Sequence, residues 1–361
     1  MKMNMKKYFA MEFHFIKSDA WLKTKRKRGL SNMINRTRKK QIFLIIGLFF
    51  MISFISQTDL YAKSKPTIYV MGDSIAHSYV GNKQQNGWGQ RLYQYFQYPS
   101  KMKMSHVKGA SDYVDVVRYN TPKISIENWA KAGASVKIFD KYGMFESIQK
   151  KLKKGDYVFI QLGHNEVYTQ WWTGSTVSEY KTYLINDIQK IQCKKANPVL
   201  ITPPPVNTTE KYMPYVPEYR MAMMEVGKEY KIPVIDLGQK TADYFNLIGK
   251  KKAKGMYIKD NMHFTPEGAK TLAKIISVEI EQNRQLKSLS GDLRLKTKDL
   301  YKTIHKASKL KAEKYNKRKW RYMQKQLKKS KKILYSNAAT QKSINSAKSD
   351  LKKSINKLRR K

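Results

Sequence analysis

Five short apolar runs, separated by stretches of helix length, constrain this chain more than any other feature. Thr67–Met71 (TIYVM), Ile124–Ile126, Tyr157–Leu162 (YVFIQL), Pro198–Thr202 (PVLIT) and Ile232–Leu237 (IPVIDL) are mostly β-branched, aliphatic or aromatic. Several are bounded by Gly or Pro, the pattern of buried strands. Between them, residues 134–152, 177–195 and 214–230 carry apolar side chains at helical spacing, as does Trp88–Phe96. A last helix is predicted over Pro266–Gln282, with Thr265 before it and Glu267 in its first turn. Strands that alternate with helices imply a parallel sheet covered on both faces. The expected architecture is therefore α/β, three layers with a central parallel sheet. In such sheets chemistry collects at the carboxyl ends of the strands.

Four polar motifs fall at such ends. Gly72-Asp73-Ser74 closes the first run, and Asn128-Trp129-Ala130-Lys131-Ala132-Gly133-Ala134-Ser135 follows the second. Gly163-His164-Asn165-Glu166 ends the third, and Asp260-Asn261-Met262-His263 precedes the last helix. Singly, each has a plain explanation: a turn for Asp73-Ser74, a helix cap for His263, a turn carboxylate for Asp260. Together they supply what acyl transfer needs. Ser74 is a hydroxyl nucleophile, His263 a general base, and Asp260 a carboxylate to orient the imidazole. The backbone N–H groups of Ser74 and Gly133, with the Asn165 side-chain amide, would meet a developing oxyanion. No metal or cofactor is called for. His164 is a rival base, but no carboxylate is evident in sequence to orient it, so it reads as structural or substrate-lining. His77 also lacks an assigned partner. Trp88, His164, Tyr168, Trp171 and Trp172 are candidate walls of a sugar-binding cleft.

From about residue 66 to 284 this constellation resembles the SGNH (GDSL) hydrolase superfamily, whose four blocks carry Ser, Gly, Asn and an Asp-x-x-His pair in this order. It is most similar to the rhamnogalacturonan acetylesterase-like enzymes, through Gly87-Trp88-Gly89, Asn128…Gly133-x-Ser135, Gly155–Ile160, Gly163-His164-Asn165 and His263-Phe264…Gly268-Ala269. The resemblance implies a flavodoxin-like fold and the triad Ser74, Asp260 and His263. It also implies oxyanion donors at Ser74, Gly133 and Asn165, and an acetylated polysaccharide as substrate. Glu166 stands where the family usually has Asp, and Ala132 and Ala134 replace the more usual Gly and Arg.

Charge divides the chain into three. Its 361 residues carry 72 Lys and Arg against 27 Asp and Glu, a net +45. Residues 1–40 and 291–361 hold most of that excess, while the middle is only moderately basic. Ile42–Ile55 (IFLIIGLFFMISFI) is uncharged and apolar, preceded by Arg36, Arg38, Lys39 and Lys40 and followed by Tyr61-Ala62-Lys63. That run is short for a membrane span and right for the core of an export signal cut after Ala62. Residues 1–62 therefore read as a basic leader and signal peptide, or a membrane anchor if uncut. Residues 63–285 read as the hydrolase domain. Cys193 is the only cysteine, which excludes a disulfide framework.

Residues 295–361 lack proline and repeat apolar residues at helical spacing: Leu300, Ile304, Ala307; Trp320, Met323, Leu327; Ile344, Ala347, Leu351, Ile355 and Leu358. The spacing predicts a small three-helix bundle with outward lysines. The pattern Tyr315…Trp320…Leu327…Asn337-Ala338-Ala339-Thr340-Gln341…Leu351 resembles FIVAR modules, which implies attachment to carbohydrate or cell wall. Such a basic module suits a polyanion. On an exported protein that means a wall polymer or acidic glycan rather than a specific nucleic acid, and it predicts a location at the cell surface. Two other readings stay open: a surface-binding protein on a hydrolase scaffold without turnover, and a lipase-like esterase.

Overall fold

The computed structural model describes residues 65–109, 116–169 and 173–358. The apolar run 42–55, with the rest of 1–62, lies outside the described residues, as do Trp171 and Trp172. Seven strands form one sheet: β1 (Thr67–Gly72), β2 (Lys103–Val107), β3 (Val116–Asn120), β4 (Ser125–Asn128), β5 (Tyr157–Gln161), β6 (Asn197–Ile201) and β7 (Val234–Ile235). Their spatial order is β2-β3-β4-β1-β5-β6-β7. The five strands from β4 to β7 run parallel, while β2 and β3 add an antiparallel edge.

Alternation along the central strands sorts the core into two layers. Ile68 and Val70 of β1, Tyr157 and Phe159 of β5, and Val199 and Ile201 of β6 face one side. Tyr69 and Met71, Val158 and Ile160, and Leu200 face the other. Helices α1 (Val136–Lys141), α2 (Met144–Lys151), α3 (Val177–Cys193) and α4 (Pro217–Glu229) cover the second side. Helices α5 (Leu237–Ile248), α6 (Lys250–Lys254), α7 (Pro266–Gln282) and the short α8 (Lys287–Ser290) cover the first. The expected three-layer α/β/α fold is thus present, with a mostly parallel sheet.

Some elements differ from the sequence expectation. The stretch 134–152 is two helices, because Gly143 adopts a left-handed φ of 63° between them. Trp88–Phe96 contributes only a 3-10 turn at Leu92–Tyr95. The strand expected over Ile232–Leu237 shrinks to Val234–Ile235, since Asp236 caps α5 by accepting from the Gln239 amide.

Three helices follow, α9 (Lys298–Ser308), α10 (Lys317–Tyr335) and α11 (Gln341–Asn356). Their core, Leu300, Ile304, Met323, Leu327, Ile344 and Leu351, includes Val278 of α7. The Tyr335 hydroxyl donates to Glu279 of α7 (3.0 Å), and the Asn337 amide to Glu267 and Thr271 (2.9 Å each). Residues 65 onward form one compact unit. Among the described residues no helix is long and apolar enough to cross a membrane.

Gly163, directly after β5, has a φ of 145°, and a Cβ there would lie 2.4 Å from Cγ of Pro203. Gly163→Ala is therefore expected to destabilise the fold by about 1–3 kcal/mol. Urea denaturation against the wild type measures this; an unchanged midpoint would refute the packing argument.

Candidate active site

The site is assembled around the turn that ends β1. Asp73 is fully buried and folds the chain over itself: its carbonyl accepts from the amides of Ala76 and His77 (3.1 Å each), and its Oδ1 from the Ile75 amide (2.9 Å). Gln161, at the end of β5, donates to Asp73 Oδ2 (3.1 Å) and accepts from the Trp88 indole (2.9 Å). Gly87 and Gly89 let the backbone on either side of Trp88 lie against residues 76 and 77, since a Cβ at either would sit under 3 Å from that chain. The Asn128 amide, at the end of β4, donates to the Ala76 carbonyl (2.7 Å) and the Ser78 hydroxyl (2.8 Å). Both neighbouring strands thus brace the turn that presents Ser74.

His263 spans from this turn to the last motif. Its Nε2 lies 2.8 Å from Ser74 Oγ and its Nδ1 2.6 Å from Asp260 Oδ2. With Nδ1–H donating to the carboxylate, Nε2 is left to accept the Ser74 proton. Asp260 Oδ1 accepts from the amides of Met262 and His263 (2.9 Å each), which fixes the carboxylate beneath the ring. Burial raises the Asp260 carboxyl, but the bonds from the His263 ring and these two amides outweigh it and hold the group below its ordinary range. The pair sits on a narrow hairpin: Thr265 N donates to the Met256 carbonyl (2.9 Å), Ile258 N to that of His263 (3.0 Å), and Tyr257 bridges Phe264. Asn261, at its tip, has a φ of 63°, and its carbonyl accepts from the Asn207 amide (2.7 Å).

The other two motifs are tied to the same edge. The Lys131 amide donates to the Gly72 carbonyl (3.0 Å) and the Ala134 amide to the Lys131 carbonyl (3.1 Å), hooking the Gly133 turn to the end of β1. Gly133 has a φ of 76° with open space where a Cβ would go, so conformation rather than crowding favours glycine. One Asn165 amide hydrogen goes to the Ala134 carbonyl (2.9 Å), joining the third motif to the second.

Not every residue singled out in the sequence reaches this edge. Trp88 is fully buried, so it is a brace and not a cleft wall. His164 is also buried. Contrary to the sequence reading it does face a carboxylate, Asp73 Oδ2 (3.2 Å), but its other nitrogen lies 3.1 Å from the Pro204 carbonyl and its ring stacks on Tyr215. Enclosed in this way, it is neither a substrate wall nor an available base. His77 places Nδ1 2.6 Å from the Ala130 carbonyl. Tyr168 is 40% exposed and remains able to meet a substrate. Sequence reasoning missed Asp73 and Gln161 as supports; the signal was a polar pair inside otherwise apolar strand ends.

The sequence profile of the GDSL-like lipase/acylhydrolases matches residues 68–276, more than half of the chain. The chain belongs to this family. Its relatives include the probable rhamnogalacturonan acetylesterase YesY of Bacillus subtilis, 29% identical over 229 residues, or 60% of this chain and 92% of that protein. The rhamnogalacturonan acetylesterase RhgT of the same species is 29% identical over 177 residues, 44% of this chain and 75% of the other. Among solved structures, the B. subtilis protein YxiM superposes with a TM-score of 0.51 at 27% identity, covering 61% of this chain and 57% of that one. The family match makes this chain an ester hydrolase by descent, and the three C-terminal helices lie beyond it.

Glu166 lies in the third motif of this hydrolase. It is fully buried, and its longer side chain brings Oε1 to 3.0 Å from the Val136 amide in the first turn of α1, just after the Gly133 turn. Burial pushes its carboxyl up to about 8, opposed by the Val136 amide and reinforced by Asp73. A carboxyl raised from 4.5 to about 8 keeps its proton in the folded state where the unfolded chain has released it. Its contribution to stability is therefore full below the unfolded value and is lost as pH rises through about 8. Asp187 in α3 is likewise raised to about 8, chiefly by burial, and acts with the same sign. Glu166→Gln should reduce, without abolishing, the fall in melting temperature between pH 5 and pH 8. Thermal melts across that range test this, and an unaltered slope would show that Glu166 is ionised throughout.

Proposed function

We propose that this protein is an exported carbohydrate O-acetylesterase that works through an acyl-enzyme on Ser74. The observation that carries the reading is the His263 imidazole bridging Ser74 Oγ at 2.8 Å and Asp260 at 2.6 Å. A serine hydroxyl is a poor nucleophile until a base takes its proton, and this spacing suits that transfer. Ser74 Oγ attacks the acetyl carbonyl while its proton passes to Nε2. Asp260 holds the ring and stabilises the imidazolium that forms. The backbone N–H groups of Ser74 and Gly133 and the second Asn165 amide hydrogen receive the tetrahedral oxyanion. As the bond from the acetyl carbon to the sugar oxygen breaks, His263 gives that oxygen its proton to form the free hydroxyl. A water deprotonated by the same nitrogen then attacks the acetyl-Ser74 ester and releases acetate.

The names of YesY and RhgT support acetylated rhamnogalacturonan as the substrate to test first. Export rests on the apolar run Ile42–Ile55 behind its basic flank, and retention at a wall polyanion on the lysine-rich α9–α11.

Ser74→Ala should reduce both p-nitrophenyl acetate hydrolysis and acetate release from acetylated rhamnogalacturonan to background. Asp260→Asn is expected to lower kcat by roughly 10³–10⁴-fold, and Asn165→Ala by about 10²–10³-fold. Equal rates for wild type and Ser74→Ala would end the acyl-enzyme reading. Activity confined to long-chain esters would move the substrate from sugars to lipids.

A further inference from the structure

Away from Ser74, α5, α9 and α10 enclose a cleft of about 440 Å³, within the usual size of small-molecule sites. We infer that this cleft binds an acidic sugar unit of the polysaccharide, a second contact that holds the polymer while Ser74 acts elsewhere on it. The inference rests on the polysaccharide substrate proposed above.

The floor is apolar and aromatic: Tyr244, Leu247, Tyr301 and Ile304. Tyr301 is held in place by Lys240, whose Nζ donates to its hydroxyl (3.0 Å) and lies 3.5 Å from Glu279 of α7. The charge of Lys240 is thus committed within the protein. The rim is different. Lys211, Lys331 and His305 line it, and none is paired with a carboxylate among the described residues. One acid, Asp243, shares the rim and accepts from the Gln239 amide (2.9 Å), so the two lysines leave an excess of positive charge.

Tyrosine side chains lining a cleft beside unpaired lysines suit a pyranose ring that carries a carboxylate. The C–H face of such a ring packs on an aromatic surface, while its acid reaches an ammonium at the edge. A polymer of alditol phosphates offers the anion without the flat ring, and a neutral glycan the ring without the anion. The cleft needs both parts of the molecule, since Lys211 comes from the hydrolase body and Tyr301, His305 and Lys331 from the C-terminal helices.

Titration calorimetry of the full chain with a de-esterified oligogalacturonide tests the site without turnover, so its outcome is separate from that of the Ser74 assays. Lys211→Glu and Lys331→Glu should each weaken binding about ten-fold and raise KM on acetylated polymer. Lys331→Arg should retain binding. Lys325→Glu, an exposed position of α10 outside the cleft, should leave binding and p-nitrophenyl acetate hydrolysis unchanged. Undiminished binding by both cleft variants would overturn the assignment. So would equal binding of the carboxyl-reduced oligomer, tighter binding of poly(glycerol phosphate), or an equal loss from Lys325→Glu.

Discussion

Everything at the active edge depends on β1 being hydrogen-bonded on both sides by parallel neighbours. Val70 pairs with Asn128 of β4, and Gly72 with Gln161 of β5. That register delivers three chain segments to the same place at the same height. The turn after β1 carries Ser74, the segment after β4 carries Gly133, and the segment after β5 carries Asn165. A shift of one residue would turn Gln161 away from Asp73 and Asn128 away from the Ala76 carbonyl, because strand side chains alternate between faces.

The polar groups beneath Ser74 hold position rather than react. Asp73 is a buried acceptor for Ile75 and Gln161, with His164 Nδ1 3.2 Å from its Oδ2, and Trp88 extends the network through Gln161. A buried carboxylate is tolerable only when it is so surrounded, and in return the turn it braces has little freedom. The reactive imidazole sits differently, on a hairpin that is about a quarter exposed at the His263 side chain. The site thus combines a rigid nucleophile with a base presented from the rim.

Legibility in the sequence followed burial. β1, β5 and β6 are covered on both faces, so their apolar runs stood out. The edge strand Lys103–Val107 is nearly all exposed and reads as a polar loop; only pairing with Val116–Asn120 makes it a strand. Helix α5 was hidden because its first residues prolong an apolar run that looks like strand, until the Asp236 cap is seen. In the site, Asp260 and His263 are three residues apart and could be matched from sequence. The partnership of Asp73 with His164 spans 91 residues and exists only through the β1–β5 ladder. The cleft floored by Tyr301 was less legible still, since its lysines and tyrosines come from widely separated segments.

Helix α7, which starts just beyond His263, is pressed between the sheet and the C-terminal helices, with Val278 in the core that Leu300 and Leu351 complete. A chain emerging amino-terminus first can pair its parallel strands early, yet the outer side of α7 stays bare until Leu351 has followed. The helix that follows the catalytic hairpin is therefore covered on both sides only once the lysine-rich C-terminal helices have packed against it.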